Sequence, residues 1–144
     1  MLRINRLFLL ILLVSIVAPH IASAFQLSSQ KVEITQGAAD TETFTNTTAS
    51  PMNVKVEVVP ETKRELNGAK DCSSFLRVFP KVFELEPGKS QEVRILSREP
   101  GMCRMYYLVD SKENDRVDEE GNTIHIIIRV GIPVTVEPGK KEVL

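Results

Sequence analysis

The chain has 144 residues, with 18 Lys and Arg against 19 Asp and Glu, a net charge of −1 and 42% apolar side chains. No basic excess is available to follow a phosphate backbone, which argues against nucleic acid as a partner. A chain of this length has room for one core rather than two.

Its first 24 residues open on Arg3 and Arg6, run through apolar Leu7 to Val17, and close on Ala22-Ser23-Ala24. A charged start, a short greasy middle and an A-x-A site have the form of a cleavable secretory signal peptide. The apolar run falls short of the ~20 residues that a membrane span needs, so no span is expected once residues 1–24 are removed. Cleavage would take away two basic residues, leaving 16 against 19 acidic ones and a net charge of −3 from Phe25 onward. Two cysteines remain, Cys72 and Cys103. In an exported, oxidising compartment an even count favours one disulfide over free thiols, and no C-x-x-C spacing points to redox chemistry.

From Gln26 the chain reads as short strands divided by turns. Gln26–Gln36 reads as a first strand, with Val32 and Ile34 alternating with Lys31 and Glu33, and ends in a turn at Gly37. Thr41–Thr48 is Thr-rich around Phe44, and Met52–Val59 alternates apolar and polar residues until Pro60. Glu61–Ser74 is polar, contains Asn67-Gly68 and reads as a loop. Phe75–Val78, Val82–Leu85, Ser90–Leu96 and Met102–Val109 supply four more β-prone pieces, the last carrying Cys103. Asp110–Asn122 is a charged loop. It departs from a calcium loop because Lys112 stands where an acidic ligand is needed and the glycine is misplaced. Asn46-Thr47-Thr48 matches a glycosylation acceptor, which matters only in a cell that glycosylates.

The last strand is the longest. In Thr123–Val136 the even positions Ile124, Ile126, Ile128, Val130, Ile132, Val134 and Val136 are all β-branched and apolar. Each such side chain is worth roughly 1.5–3 kcal/mol when buried, so either the domain or a partner must cover them. Pro133 and Gly131 place the second half at a sheet edge or a bend. No window shows helical periodicity. The fold class expected is all-β, an immunoglobulin-like antiparallel sandwich of about seven strands, with a small closed barrel as the other architecture.

Catalytic chemistry has little to draw on. After the leader the single histidine is His125, read as a strand residue pointing out of the apolar face. One histidine and two distant cysteines do not make a zinc site, and no base stands by a nucleophile. No enzyme, metal or cofactor is expected.

Leu76–Ile95, LRVFPKVFELEPGKSQEVRI, resembles the signature of the N-terminal domain of PapD-like periplasmic pilus chaperones, through Pro80, Phe83, Leu85, Pro87, Gly88, Ser90, Gln91, Val93 and Arg94. Gly101–Arg104 resembles a second family pattern with Cys103 in place of an aromatic, and IRVGIPVTV resembles the domain's last strand. The resemblance implies a periplasmic chaperone in pilus, or fimbrial, biogenesis that lends its last strand to a pilin-like or other exported subunit. The lent residues would be Ile124, Ile126, Ile128, Val130 and Ile132. It further implies two cations for the subunit's C-terminal carboxylate, Arg129 on the last strand and Lys31 on the first. Family members continue into a second domain, whereas here a sandwich over residues 25–138 is followed only by a tail, 139–144. Strand lending would then work without that domain or with a second protein in its place. The alternative function is a structural or adaptor module of a cell-envelope or surface assembly.

Overall fold

The computed structural model describes residues 24–140, so most of the expected leader and the last four residues lie outside the described residues. Strands β1 Phe25–Leu27, β2 Val32–Thr35, β3 Ala39–Asn46 and β4 Met52–Pro60 are followed by a one-turn helix, α1, Lys63–Leu66. Then come β5 Leu76–Phe79, β6 Val82–Leu85, β7 Ser90–Ser97, β8 Gly101–Ser111, β9 Arg116–Val117, β10 Thr123–Ile124 and β11 Ile127–Glu137. One sheet has four strands in the order β1-β3-β7-β5, the other five in the order β2-β11-β8-β4-β6, and β9 and β10 form a separate ribbon. Two sheets face to face make a sandwich, not a closed barrel.

The alternation in the sequence becomes the core. Met52, Val54 and Val56 on β4, Val93 and Ile95 on β7, and Met105, Tyr107 and Val109 on β8 are all buried. Their odd-spaced neighbours look outward, as a pleated strand requires. Phe44 is wholly enclosed at the centre. Its ring lies 5.1 Å from Phe25 in its own sheet, and 5.9 and 5.3 Å from Phe83 and Tyr107 in the opposite one.

The expected disulfide is present: Cys72 and Cys103 are bonded, with Cα atoms 5.2 Å apart. Backbone bonds fasten the same place, since Met102 N donates to Lys70 O at 2.8 Å and Cys72 N to Met102 O at 3.1 Å. Gly101 belongs there because its φ is 150° and a Cβ would collide with the Lys70 carbonyl. In the polar loop before Cys72, α1 is capped by the Thr62 hydroxyl, which accepts from Glu65 N, and is ended by Asn67 at φ 44°. One turn is too short to leave a 3.6-residue period. Asn46, the first residue of the acceptor match, is fully buried: its amide donates to Ser50 O and Leu85 O, and its oxygen accepts from Thr48 N, each at 2.9 Å. It ends β3 from inside.

The first strand differs from the sequence reading. It is two strands, β1 in the four-stranded sheet and β2 in the five-stranded one, with the crossing at Ser28–Lys31. The crossing is held to β3: Ser28 N donates to Thr43 O at 3.0 Å, Thr43 N to Ser28 Oγ at 2.8 Å, and Ser29 N to Glu42 Oε1 at 3.3 Å. Glu42 is itself buried, and burial pushes its carboxyl above the usual range although the Ser29 amide works the other way. Burial likewise raises the Tyr107 hydroxyl, which has no hydrogen-bond partner among the described residues.

Candidate functional site

Strand switching leaves β11 half uncovered. On one side β11 pairs antiparallel with β8 from Ile127↔Asp110 to Val136↔Gly101. On the other it pairs parallel with β2, but only from Val134↔Val32 to Glu137↔Thr35. Among the described residues, Ile127–Pro133 therefore has no strand along its second edge.

The direction of the backbone groups on that edge follows from one bond. Gln36 N donates to Glu137 O at 2.8 Å, so Glu137 faces β2. N–H and C=O pairs alternate sides along a strand, which places those of Ile127, Arg129 and Gly131 on the open edge and those of Ile128, Val130 and Ile132 toward β8. Pro133 falls on the open-edge parity, where its missing N–H costs no ladder bond. The sequence reading puts the edge in the second half of the run; the open edge is instead Ile127–Pro133, which takes in Gly131 and Pro133, and from Val134 onward β2 covers the strand.

The even-numbered apolar residues divide into two groups. Ile132, Val134 and Val136 are 1%, 0% and 2% exposed and belong to the domain's own core. Ile128 and Val130 are half-buried, with Ile128 against the margin of the core. Ile124 and Ile126 are exposed, at 48% and 37%.

Two expectations are corrected here. The run from Thr123 to Val136 is not one strand, because the pairing stops after Ile124 and resumes at Ile127. His125 is not a strand residue but occupies that break. Its Nδ1 lies 2.7 Å from Asp115 Oδ1 and its Nε2 3.0 Å from Asp110 Oδ1. The alternation of apolar residues continues through the break, so nothing in the local pattern marks it.

Arg129 and Lys31 are both exposed, Arg129 on the outer face of the five-stranded sheet and Lys31 at the end of the crossing before β2 and not on a first strand as expected. The Arg129 guanidinium stacks 3.7 Å over the Tyr106 ring. Gly131, opposite Tyr106, makes room for that ring, since a Cβ there would be 2.6 Å from Tyr106 Cε1. Lys31 pairs with Glu33 at 2.9 Å, an exposed contact of little worth in stability. Lys31 lies outside any strand, at the end of the crossing before Val32, and Val32 pairs with Val134, five residues along β11 from Arg129. The two share no ion-pair or hydrogen-bond partner among the described residues.

Comparison with known protein families matches residues 24–141 to the pili and flagellar-assembly chaperones, PapD N-terminal domain. No curated protein is matched by sequence. Among solved structures the chain is similar to one in the Salmonella enterica complex of SafA pilin with the SafB chaperone, at 14% identity and TM-score 0.57, covering 79% of this chain and 54% of that one. It is also similar to one in the CsuC–CsuE chaperone–tip adhesion subunit complex of Acinetobacter baumannii, at 15% identity and TM-score 0.59, covering 81% and 57%. The present chain thus spans little more than half the length of those two. The nematode protein WR4, a C. elegans MSP family member, is similar at 12% identity and TM-score 0.54, over 79% of this chain and 98% of that one. At such identities the likeness establishes the fold. No helix among the described residues is long and apolar enough to cross a membrane.

Proposed function

The chain belongs to the pili and flagellar-assembly chaperone family through its PapD N-terminal domain, and from that premise we propose that it lends the segment Ile124–Ile132 to a pilin or other exported β-subunit in the periplasm. The observation that carries this reading is the unpaired edge of β11 over Ile127–Pro133. Bare strand edges invite another strand, and proteins that do not use them usually cover them. Lending works by β-augmentation: the amides and carbonyls of Ile127, Arg129 and Gly131 bond a partner strand, while alternate side chains fill its pockets. Ile124, Ile126, Ile128 and Val130 are the side chains for those pockets. Ile132 is held in the core with its backbone groups turned toward β8, so it marks the inner end of the lent segment. Pro133 and the start of β2 limit how far the partner strand can run.

Arg129 and Lys31 are the proposed cations for a subunit's C-terminal carboxylate. They stand apart, Arg129 on β11 and Lys31 at the crossing before β2, so each would be a separate contact. Arg129, already flattened on Tyr106, offers a fixed fork of donors. The role is binding, and it calls on no catalytic group.

The test is to express the tagged chain in the periplasm of a Gram-negative host that also makes fimbrial subunits, purify it without reductant, and identify its companions by mass spectrometry. A stoichiometric exported β-subunit is expected. A clean monomer, or copies of the chain alone, would contradict strand lending and favour the structural module.

A further inference from the structure

His125 stands where the donor segment bends away from β11, and both its ring nitrogens reach carboxylate oxygens. A carboxylate only accepts, so both contacts are hydrogen bonds only when both nitrogens carry protons. The neutral ring has a single N–H and would set a lone pair against one of the two oxygens. The two aspartates belong to different elements: Asp110 lies on β8 opposite Ile127, and Asp115 follows the 3-10 turn Lys112–Asn114. Together they tie the break to the body of the domain at two points. Of the other charged groups, Lys55 on β4 lines a hollow with Asp110 and Ile127, and further ones stand on the loop itself. Arg116, opposite Ile124 in the ribbon, donates to the carbonyls of Glu113 and Asp115, and the Glu113 carboxylate accepts from Ser50 Oγ. Lys112 stands on the turn, and Asp118, Glu119 and Glu120 lie further along the loop.

We propose that His125, clamped between Asp110 and Asp115, is a proton-controlled latch on the donor segment: protonated, it keeps Ile124–Ile126 folded back beside β9; deprotonated, it frees them to extend β11 along a partner. The inference rests on the strand-lending reading and adds its regulation. The ribbon to be undone is small, with only Thr123↔Val117 and Ile124↔Arg116 in register. Ile124 and Ile126 are already 48% and 37% exposed, so releasing them uncovers only the remainder of two side chains. The hydrogen bond to Asp115, followed by the charge and hydrogen bond of Asp110, holds the imidazolium above the ordinary histidine range. The sign follows by linkage. A raised histidine favours the latched form fully below its ordinary value, and that preference is lost as pH rises through the raised one. Capture of a subunit should therefore strengthen as pH rises through that window.

Amide exchange on the whole chain, followed by NMR from about pH 5.5 to about 8 and corrected for intrinsic rates, tests the latch without any partner. Protection at Arg116 and Ile124 should fall by roughly fivefold or more across that range, in step with the His125 ring shifts. Met105 and Val109 in the core should not respond. In His125→Gln and Asp115→Asn the fall should vanish. Protection that is flat in the wild type, or that falls equally in both variants, would overturn the latch. Strong capture beside flat protection would remove the latch and leave strand lending; a working latch without capture would do the reverse.

Discussion

Replacing Ile124 and Ile126 together with serine should weaken subunit capture by roughly 10²–10⁴-fold while leaving the melting temperature almost unchanged. Both side chains are exposed in the free domain, so their loss removes no core contact. In a complex each would leave water for a pocket on the partner, at roughly 1.5–3 kcal/mol apiece, and the sum sets the expected loss of affinity. Serine is the right probe because aspartate would place a new carboxylate beside His125 and disturb its contacts with Asp110 and Asp115. Ile128 is a poorer choice, since it already packs against the margin of the core. Affinity within threefold or so of wild type would mean that this segment does not enter the partner. A large fall in melting temperature would mean that the two residues hold the fold together.

The second large effect concerns stability. Changing Cys72 and Cys103 to alanine, or reducing the native chain, should cost roughly 3–4 kcal/mol, read as a lower denaturant midpoint with a slope that rises as the unbridged chain exposes more surface on unfolding. The bond joins positions 31 apart in sequence. In the unfolded chain it withholds the freedom of a loop that includes β5, β6 and β7. Two of these, β5 and β6, are the outer strands of the two sheets. A small domain has only about 5–15 kcal/mol in total, so the loss is a sizeable fraction. A cost below about 1 kcal/mol would mean that the backbone bonds of Lys70, Cys72 and Met102 already hold the two segments together in the unfolded ensemble.

Much of the sandwich was legible because its strands are half-buried. Met52–Val59 and Ser90–Leu96 alternate cleanly, and β4 and β7 fall there to within a residue or two. The Pro80–Arg94 motif and the cysteine pair led to the family and the disulfide. What escaped the sequence is nonlocal. The crossing at Ser28–Lys31 is set by bonds to Thr43 and Glu42, which no local pattern announces. That crossing in turn decides which half of β11 lacks a neighbour. The break at His125 depends on two aspartates ten and fifteen positions earlier in the chain. Ile132 and Ile124 are the same residue type in the same alternation, yet one is core and the other is in solvent. Period-two patterning reports that a face is apolar, not whether the domain itself or another molecule covers it.

The central claim is that the open edge of β11 receives the partner strand, and amide exchange along β11 with and without a bound subunit tests it most directly. In the free chain, Ile128, Val130 and Ile132 should be protected by β8, and Ile127, Arg129 and Gly131 should exchange rapidly. On binding, the three odd-numbered amides should slow by roughly a hundredfold or more while the even-numbered ones stay as they were. If Arg129 and Gly131 exchange as fast in the complex as in the free chain, the subunit is held elsewhere and the edge is not lent.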